Sequence, residues 1–137
     1  MTVKIHDNTY TIVCNGQLYN SNELRQILIE NGFDFESNCD TEVLLKAFIH
    51  YGYDVVNQLN GIFAFAIWND NKQELFLARD HFGIKPLYYS ILDNHLLFSS
   101  EVKAILKFPE FPITVSTQGI CELIGLRTCT YFRYYYF

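Results

Sequence analysis

Several large functional classes are excluded by what this sequence lacks. The ten Lys and Arg are scattered along the chain and the net charge is −5, so the basic stripe of a nucleic-acid binder is absent. The longest uncharged apolar stretch, GIFAFAIW from Gly61, falls far short of the ~20 residues that span a bilayer. The opening MTVKIHDNTY carries no apolar signal core. Neither nucleic acid nor membrane is therefore an expected partner. Cys14, Cys39, Cys121 and Cys129 show neither the C-x-x-C pairs of a zinc site nor the density of a secreted disulfide scaffold, which points to a reducing cytoplasm. His6, His50, His81 and His95 share no ligand spacing and are expected on surfaces or loop edges. No metal site is anticipated.

What is present is a chain of 137 residues, half of them hydrophobic and 18% charged, enough for one folded domain but not for a two-domain enzyme. TYTIVC is β-branched and aromatic and reads as a strand ending at Asn15-Gly16. Asn20 and Glu23 have capping-box spacing, Leu24, Ile27 and Leu28 form a helical stripe, and Asn31-Gly32 supplies a stop. FDFES alternates as a short strand. Asp40 or Thr41 can then cap a second helix burying Val43, Leu44, Ala47, Phe48 and Tyr51 and ending at Gly52.

From Gly61 the pattern changes. IFAFAIW is apolar on both alternating faces, as in a central strand between two layers. NDNK turns into ELFLAR, and PLYYSIL, a turn at Asp93-Asn94 and HLLFSS form another hairpin. EVKAILKF reads as a short helix before Pro109, and STQGICELIGL as a further helix that Ser116 can cap. The sum is α+β, with layers on both sides of the sheet. The final residues, RTCTYFRYYYF, show neither a helical stripe nor clean alternation.

Two short motifs admit chemistry. Asn-Gly is the commonest hairpin turn, and Asn15-Gly16 can be only that. Yet a helix cap rather than a strand follows it. The same pair can supply a backbone N–H and a side-chain amide as a two-donor oxyanion hole. Asp40 is either a plain helix cap or a carboxylate that holds an ammonium group. Arg79, Asp80 and Lys85, in ARDHFGIKPLYY, read as a charged turn between strands.

The blocks VCNGQLYNSNELRQIL, FDFESNCDTEVLLKAF, LNGIFAFAIWND, LFLARDHFGIKPLYY and LLFSSEVKAIL together resemble, in order and spacing, the class II glutamine amidotransferase domain of glutamine-hydrolysing asparagine synthetases. The resemblance runs from about Tyr10 to Leu126. It implies an N-terminal nucleophile hydrolase fold, a four-layer αββα sandwich, in which an N-terminal cysteine thiolate attacks the side-chain amide of glutamine and its own α-amine serves as base. By resemblance, Asn15 and Gly16 match the oxyanion hole, Asp40 the aspartate that binds the amino group of glutamine, and Gln17 a position in the glutamine-binding strip. That family usually has Glu where Gln17 stands; a neutral amide still accepts a hydrogen bond but contributes no field.

The resemblance also sets expectations about what the chain does not contain. The nucleophilic cysteine, the segment before VCNGQLYN and the synthetase domain, with its ATP and Mg sites, are expected outside these residues. Residues 1–126 would then be a partial amidotransferase domain, inactive alone and needing no cofactor of its own, and 127–137 an aberrant aromatic tail of the kind a shifted reading frame produces. In the full-length protein the expected partners are glutamine and the synthetase domain, with a homodimer compatible. The expected activity is release of ammonia from glutamine for ATP-dependent amidation of aspartate. The alternatives are a related amide ligase with another acceptor and a non-catalytic binding module.

Overall fold

The computed structural model describes residues 1–5 and 7–112 and the backbone of Tyr135–Tyr136. These fall into two compact units, one comprising Met1–Leu87 with the Tyr135–Tyr136 strand and the other beginning at Tyr88.

The first unit is an antiparallel sheet with two helices against one face. Its strands are β1 (Thr2–Ile5), β2 (Asn8–Leu18), β3 (Gly61–Asn69), β4 (Glu74–Arg79) and, late in the chain, the two-residue Tyr135–Tyr136, in the spatial order given. Helices α1 (Ser21–Glu30) and α2 (Asp40–Tyr51) lie between β2 and β3 in sequence, and a 3-10 turn (Gly52–Asn57) follows α2. Register between β2 and β3 is unbroken from Tyr10↔Asn69 to Leu18↔Gly61, so side chains alternate strictly between the two faces. Ile12, Cys14 and Leu18 on β2, Phe63, Phe65 and Ile67 on β3 and Phe76 and Ala78 on β4 meet Leu24 and Leu28 of α1 and Val43, Leu44, Ala47 and Phe48 of α2 in one core. On the opposite face Ala64, Ala66 and Leu77 are also buried. The two-sided apolar pattern of IFAFAIW thus marks a central strand, as expected.

Four sequence expectations need correction. The strand that TYTIVC begins does not end at Asn15-Gly16; β2 runs on to Leu18, because β3 pairs with it residue by residue over that length. Phe33–Ser37 forms no strand. Alternation there serves another purpose: Lys46 and Arg25 stand over the Phe35 ring, and Lys46 donates to the Asp34 carbonyl. The Asn20 and Glu23 capping box does not form, since the Asn20 side chain instead bridges the Gln58 carbonyl and the Asn60 N–H just before β3. Ile27, placed on the buried stripe by periodicity, is exposed while Leu24 and Leu28 are buried. Gly32 and Gly52 both adopt positive φ at the helix ends where they were expected.

The second unit contains the hairpin of β5 (Tyr88–Leu92) and β6 (His95–Ser99), turned at Asp93-Asn94, and the one-turn α3 (Val102–Ile105). Ile105 is its buried apolar residue. The helix expected over STQGICELIGL, residues 127–134 and Phe137 lie outside the described residues; Tyr135–Tyr136 pairs with Phe76–Leu77 of β4. Mixed helices and antiparallel sheets make the fold α+β. Among the described residues no helix is long and apolar enough to cross a membrane.

Candidate functional site

Asn15, Gly16 and Gln17 occupy the second half of β2 and are exposed. Alternation puts the Asn15 and Gln17 side chains on the face opposite Cys14 and Leu18. Cys14 therefore cannot share a substrate with Asn15 from the same face, and its side chain packs against the core. Burial, followed by the charge of Asp40, pushes the Cys14 thiol up to about 11. It is an inert thiol at neutral pH.

Gly16 is required for a structural reason the sequence did not disclose. A Cβ there would lie 2.2 Å from the Ile62 carbonyl oxygen and 2.6 Å from Phe63 Cα, and a Cβ on Gly61 would lie 2.3 Å from the Gln17 carbonyl oxygen. The two glycines let β2 and β3 close on each other. The Asn-Gly pair is thus no hairpin turn.

The backbone of β2 has two edges. Tyr19 N–H bonds the Asn60 carbonyl on the β3 side, whereas Ile12 N–H bonds the Met1 carbonyl on the other. Leu18 N–H, on that outer edge, donates to Asp40 Oδ2 at 2.9 Å. Because donors alternate along an antiparallel strand, the Gly16 N–H points to the same outer edge as Leu18. Two residues of strand separate them, ~7 Å. Asp40 is the first residue of α2, yet makes no side-chain cap to its own helix; it reaches across to the strand instead.

Two buried carboxylates hold the surrounding loops; neither was expected from the sequence to be buried. Glu42, two residues after Asp40, is 3% exposed. Burial works to raise its pKa, but bonds from Lys46, from the Ser37 hydroxyl and from the N–H groups of Glu36 and Ser37 prevail and hold it at about 2. Its i,i+4 spacing to Lys46 within an apolar helix face was the available signal. Asp80, read as part of a charged turn, is 2% exposed. Burial opposes its ionisation, but the N–H groups of Lys85, Ile84, Phe63 and Phe82 outweigh that and lower its pKa. Arg79 donates to the Gly83 and Lys85 carbonyls, closing the same loop. Phe82, at its tip, is 86% exposed.

Cys39, exposed at the N-cap of α2, has its pKa lowered chiefly by the Ser37 hydroxyl, against partial burial and helped by backbone N–H groups. His50, His81 and His95 are exposed; His6, Cys121 and Cys129 lie outside the described residues. Among the described residues no three His, Cys, Asp or Glu stand together as metal ligands.

Residues 3–134 match the family model described as a glutamine amidotransferase domain. The chain belongs to this glutamine amidotransferase family. It is 47% identical over 119 residues to asparagine synthetase [glutamine-hydrolyzing] 3 of Bacillus subtilis, covering 87% of this chain and 19% of that protein. It is also 41% identical over 96 residues to amidase chry2 of Gibberella zeae, covering 70% of this chain and 14% of that one. The solved glutamine phosphoribosylpyrophosphate amidotransferase of B. subtilis superposes with a TM-score of 0.65 at 26% identity, over 74% of this chain and 24% of that one. The amidotransferase domain described here is thus homologous to the glutaminase domain of asparagine synthetases, and the chain spans less than a fifth of the length of those two sequence relatives.

Proposed function

We propose that this amidotransferase domain binds glutamine along the outer edge of β2 and serves a protein that transfers the released ammonia to aspartate. One observation carries the reading: the Leu18 N–H held by the Asp40 carboxylate and the Gly16 N–H share one strand edge, ~7 Å apart along the backbone. An extended glutamine presents an ammonium at one end and an amide carbonyl at the other over a comparable reach. Asp40 would take the ammonium. The Gly16 N–H, with the Asn15 side-chain amide, would receive the negative charge that forms on the carbonyl oxygen during nucleophilic attack. Gln17, next along the strand, would contribute a neutral hydrogen-bonding group to the substrate's polar end.

The attacking thiol in this reading belongs to the N-terminal cysteine of the family, with its α-amine as base. Cys14 is unsuited to replace it, being held protonated by burial and by Asp40. Cys39 has a lowered pKa but stands beside Ser37 rather than a basic group. Activation of ATP with Mg, and the aspartate acceptor, would reside in a synthetase portion outside these residues. A different acceptor is the second reading, favoured by the 41% identity to a fungal amidase.

The test is steady-state glutamate release by a protein in which these residues follow the family's cysteine-bearing segment. Asn15→Ala should lower kcat by ~10² to 10³, the usual cost of one oxyanion donor. Asp40→Asn should raise KM for glutamine more than it lowers kcat, because the ammonium contact exists in the ground state as well. An unchanged KM in Asp40→Asn would overturn the assignment. ATP-dependent conversion of aspartate against other carboxylic acceptors separates the two readings.

A further inference from the structure

Glu42 is placed as though it were a first-turn surface acid, yet both of its oxygens are spent on the loop before the helix. Oε1 accepts from the Glu36 N–H at 2.9 Å and from Lys46 Nζ at 2.5 Å; Oε2 accepts from the Ser37 N–H at 2.7 Å and the Ser37 hydroxyl at 2.6 Å. Lys46 also holds the Asp34 carbonyl and stands 4.5 Å from the centroid of the Phe35 ring. Ser37 Oγ in turn accepts the Cys39 N–H at 3.3 Å and lies 3.0 Å from Cys39 Sγ. Asp34, Phe35, Glu36, Ser37 and Cys39 are thereby all tied, directly or through one neighbour, to one carboxylate. The last of them is the residue before Asp40.

The clasped loop leads directly to Asp40, whose carboxylate is not spent on its own helix. No side-chain cap hydrogen bond closes the start of α2, and the bonds of Glu42 go to the loop before that turn and to Lys46. The Asp40 carboxylate is left to reach Leu18 N–H. We propose that Glu42 is a positioning residue for the glutamine site: by clasping residues 34–39 it fixes the backbone that aims Asp40 at the outer edge of β2. This rests on the glutamine reading for its functional meaning, but its geometry can be tested without glutamine.

The experiment compares the 137-residue chain with Glu42→Ala and Glu42→Gln by amide hydrogen exchange and 15N–1H correlation spectra, followed by titration with L-glutamine. In Glu42→Ala the Leu18 amide should exchange about tenfold faster or more, as expected when a bond to a charged acceptor is lost. The Cys39 and Asp40 signals should move, while the amides of Val43–Phe48 and Phe63–Ile67 keep their protection. Glu42→Gln, which retains one acceptor oxygen, should fall between. Glutamine should shift the Gly16 and Leu18 signals of the unsubstituted chain, and Glu42→Ala should need severalfold more of it.

Leu18 exchange unchanged in Glu42→Ala would overturn the proposal. So would faster exchange spread evenly through β3, which would make Glu42 a general stabiliser. Should Glu42→Ala unfold, the same local-against-global comparison in Glu42→Gln decides. Absence of any glutamine shift in the unsubstituted chain would instead defeat the glutamine reading, with the Leu18 comparison still deciding whether Glu42 aims Asp40.

Discussion

The loop that leads into α2 and the loop that leaves β4 are each organised around one buried carboxylate, by different means. Glu42 faces a cation, Lys46, and adds three hydrogen bonds from Glu36 and Ser37. Asp80 is satisfied by backbone alone, through the N–H groups of Phe63, Phe82, Ile84 and Lys85. Both escape the desolvation that would otherwise neutralise a buried acid. The comparison teaches that a counter-ion is not required to keep a buried acid ionised: at Asp80 converging backbone donors suffice, whereas at Glu42 the bond from Lys46 is the largest lowering contribution. Lys46 also adds reach, since its ammonium holds Asp34 and stands over Phe35.

The largest expected effect is at the site with no counter-ion. Asp80→Ala removes the acceptor of four N–H groups, one of them inside β3, and should cost roughly 3 to 4 kcal/mol. Urea denaturation measures this directly. A loss under ~1 kcal/mol would mean that water satisfies the loop as well as Asp80 does.

Acid should act on both loops in the same direction. A carboxylate whose folded pKa is depressed contributes stability that is complete above its ordinary pKa and disappears as pH falls through the folded value. For Glu42 the window runs from 4.5 down to about 2, and the shift corresponds to roughly 3 kcal/mol at most. The stability gap between the unsubstituted chain and Glu42→Gln should therefore be constant from pH 7 to 5 and close progressively below. A gap that is equally wide at pH 2.5 would contradict the depressed pKa.

Lys46→Met sharpens the contrast by making Glu42 resemble Asp80. It leaves three donors and no cation, so the Glu42 pKa should rise yet stay below its ordinary value, with about 2 kcal/mol of stability lost. Carbon-13 titration of the carboxyl reads the pKa. A rise above the ordinary value would show that Lys46, rather than the converging donors, keeps Glu42 charged. The smallest effect belongs to Ser37→Ala, which removes one hydroxyl bond to Glu42 and two contacts to Cys39; about 1 kcal/mol is expected. It should also return the Cys39 thiol pKa toward its ordinary value, because the Ser37 hydroxyl is the main cause of its depression. The rate of thiol alkylation against pH measures that shift.

Much of the fold was legible because it depends on local periodicity. The stripe of Val43, Leu44, Ala47 and Phe48, the two-sided run at β3, the Asp93-Asn94 hairpin and the glycine stops at Gly32 and Gly52 all follow from side-chain spacing or backbone freedom. The failures share a cause. Asn20 has the chemistry of a cap, but the backbone before β3 offered its amide two partners 38 and 40 residues away. Phe33–Ser37 alternates as a strand does, but no neighbouring strand pairs with it among the described residues, and cations over Phe35 use the alternation instead. Asp80 looked solvated because a short charged turn gives no sign that the strand beside it will bury one of its charges.

For the site, the ordered blocks identified Asn15, Gly16, Gln17 and Asp40 as candidates by resemblance, while residue pattern by itself favoured a turn at Asn15-Gly16 and a helix cap at Asp40. The sequence by itself determined the main helices and strands, the central strand and the family to which the chain belongs, since each follows from the order and chemistry of nearby residues. Only the tertiary structure decided that Gly16 is needed for the 2.2 Å approach to Ile62, that Asp40 bonds a strand 22 residues earlier, and that Glu42 is buried rather than solvated. Those outcomes depend on which backbone another segment brings alongside, and no local pattern encodes that distance.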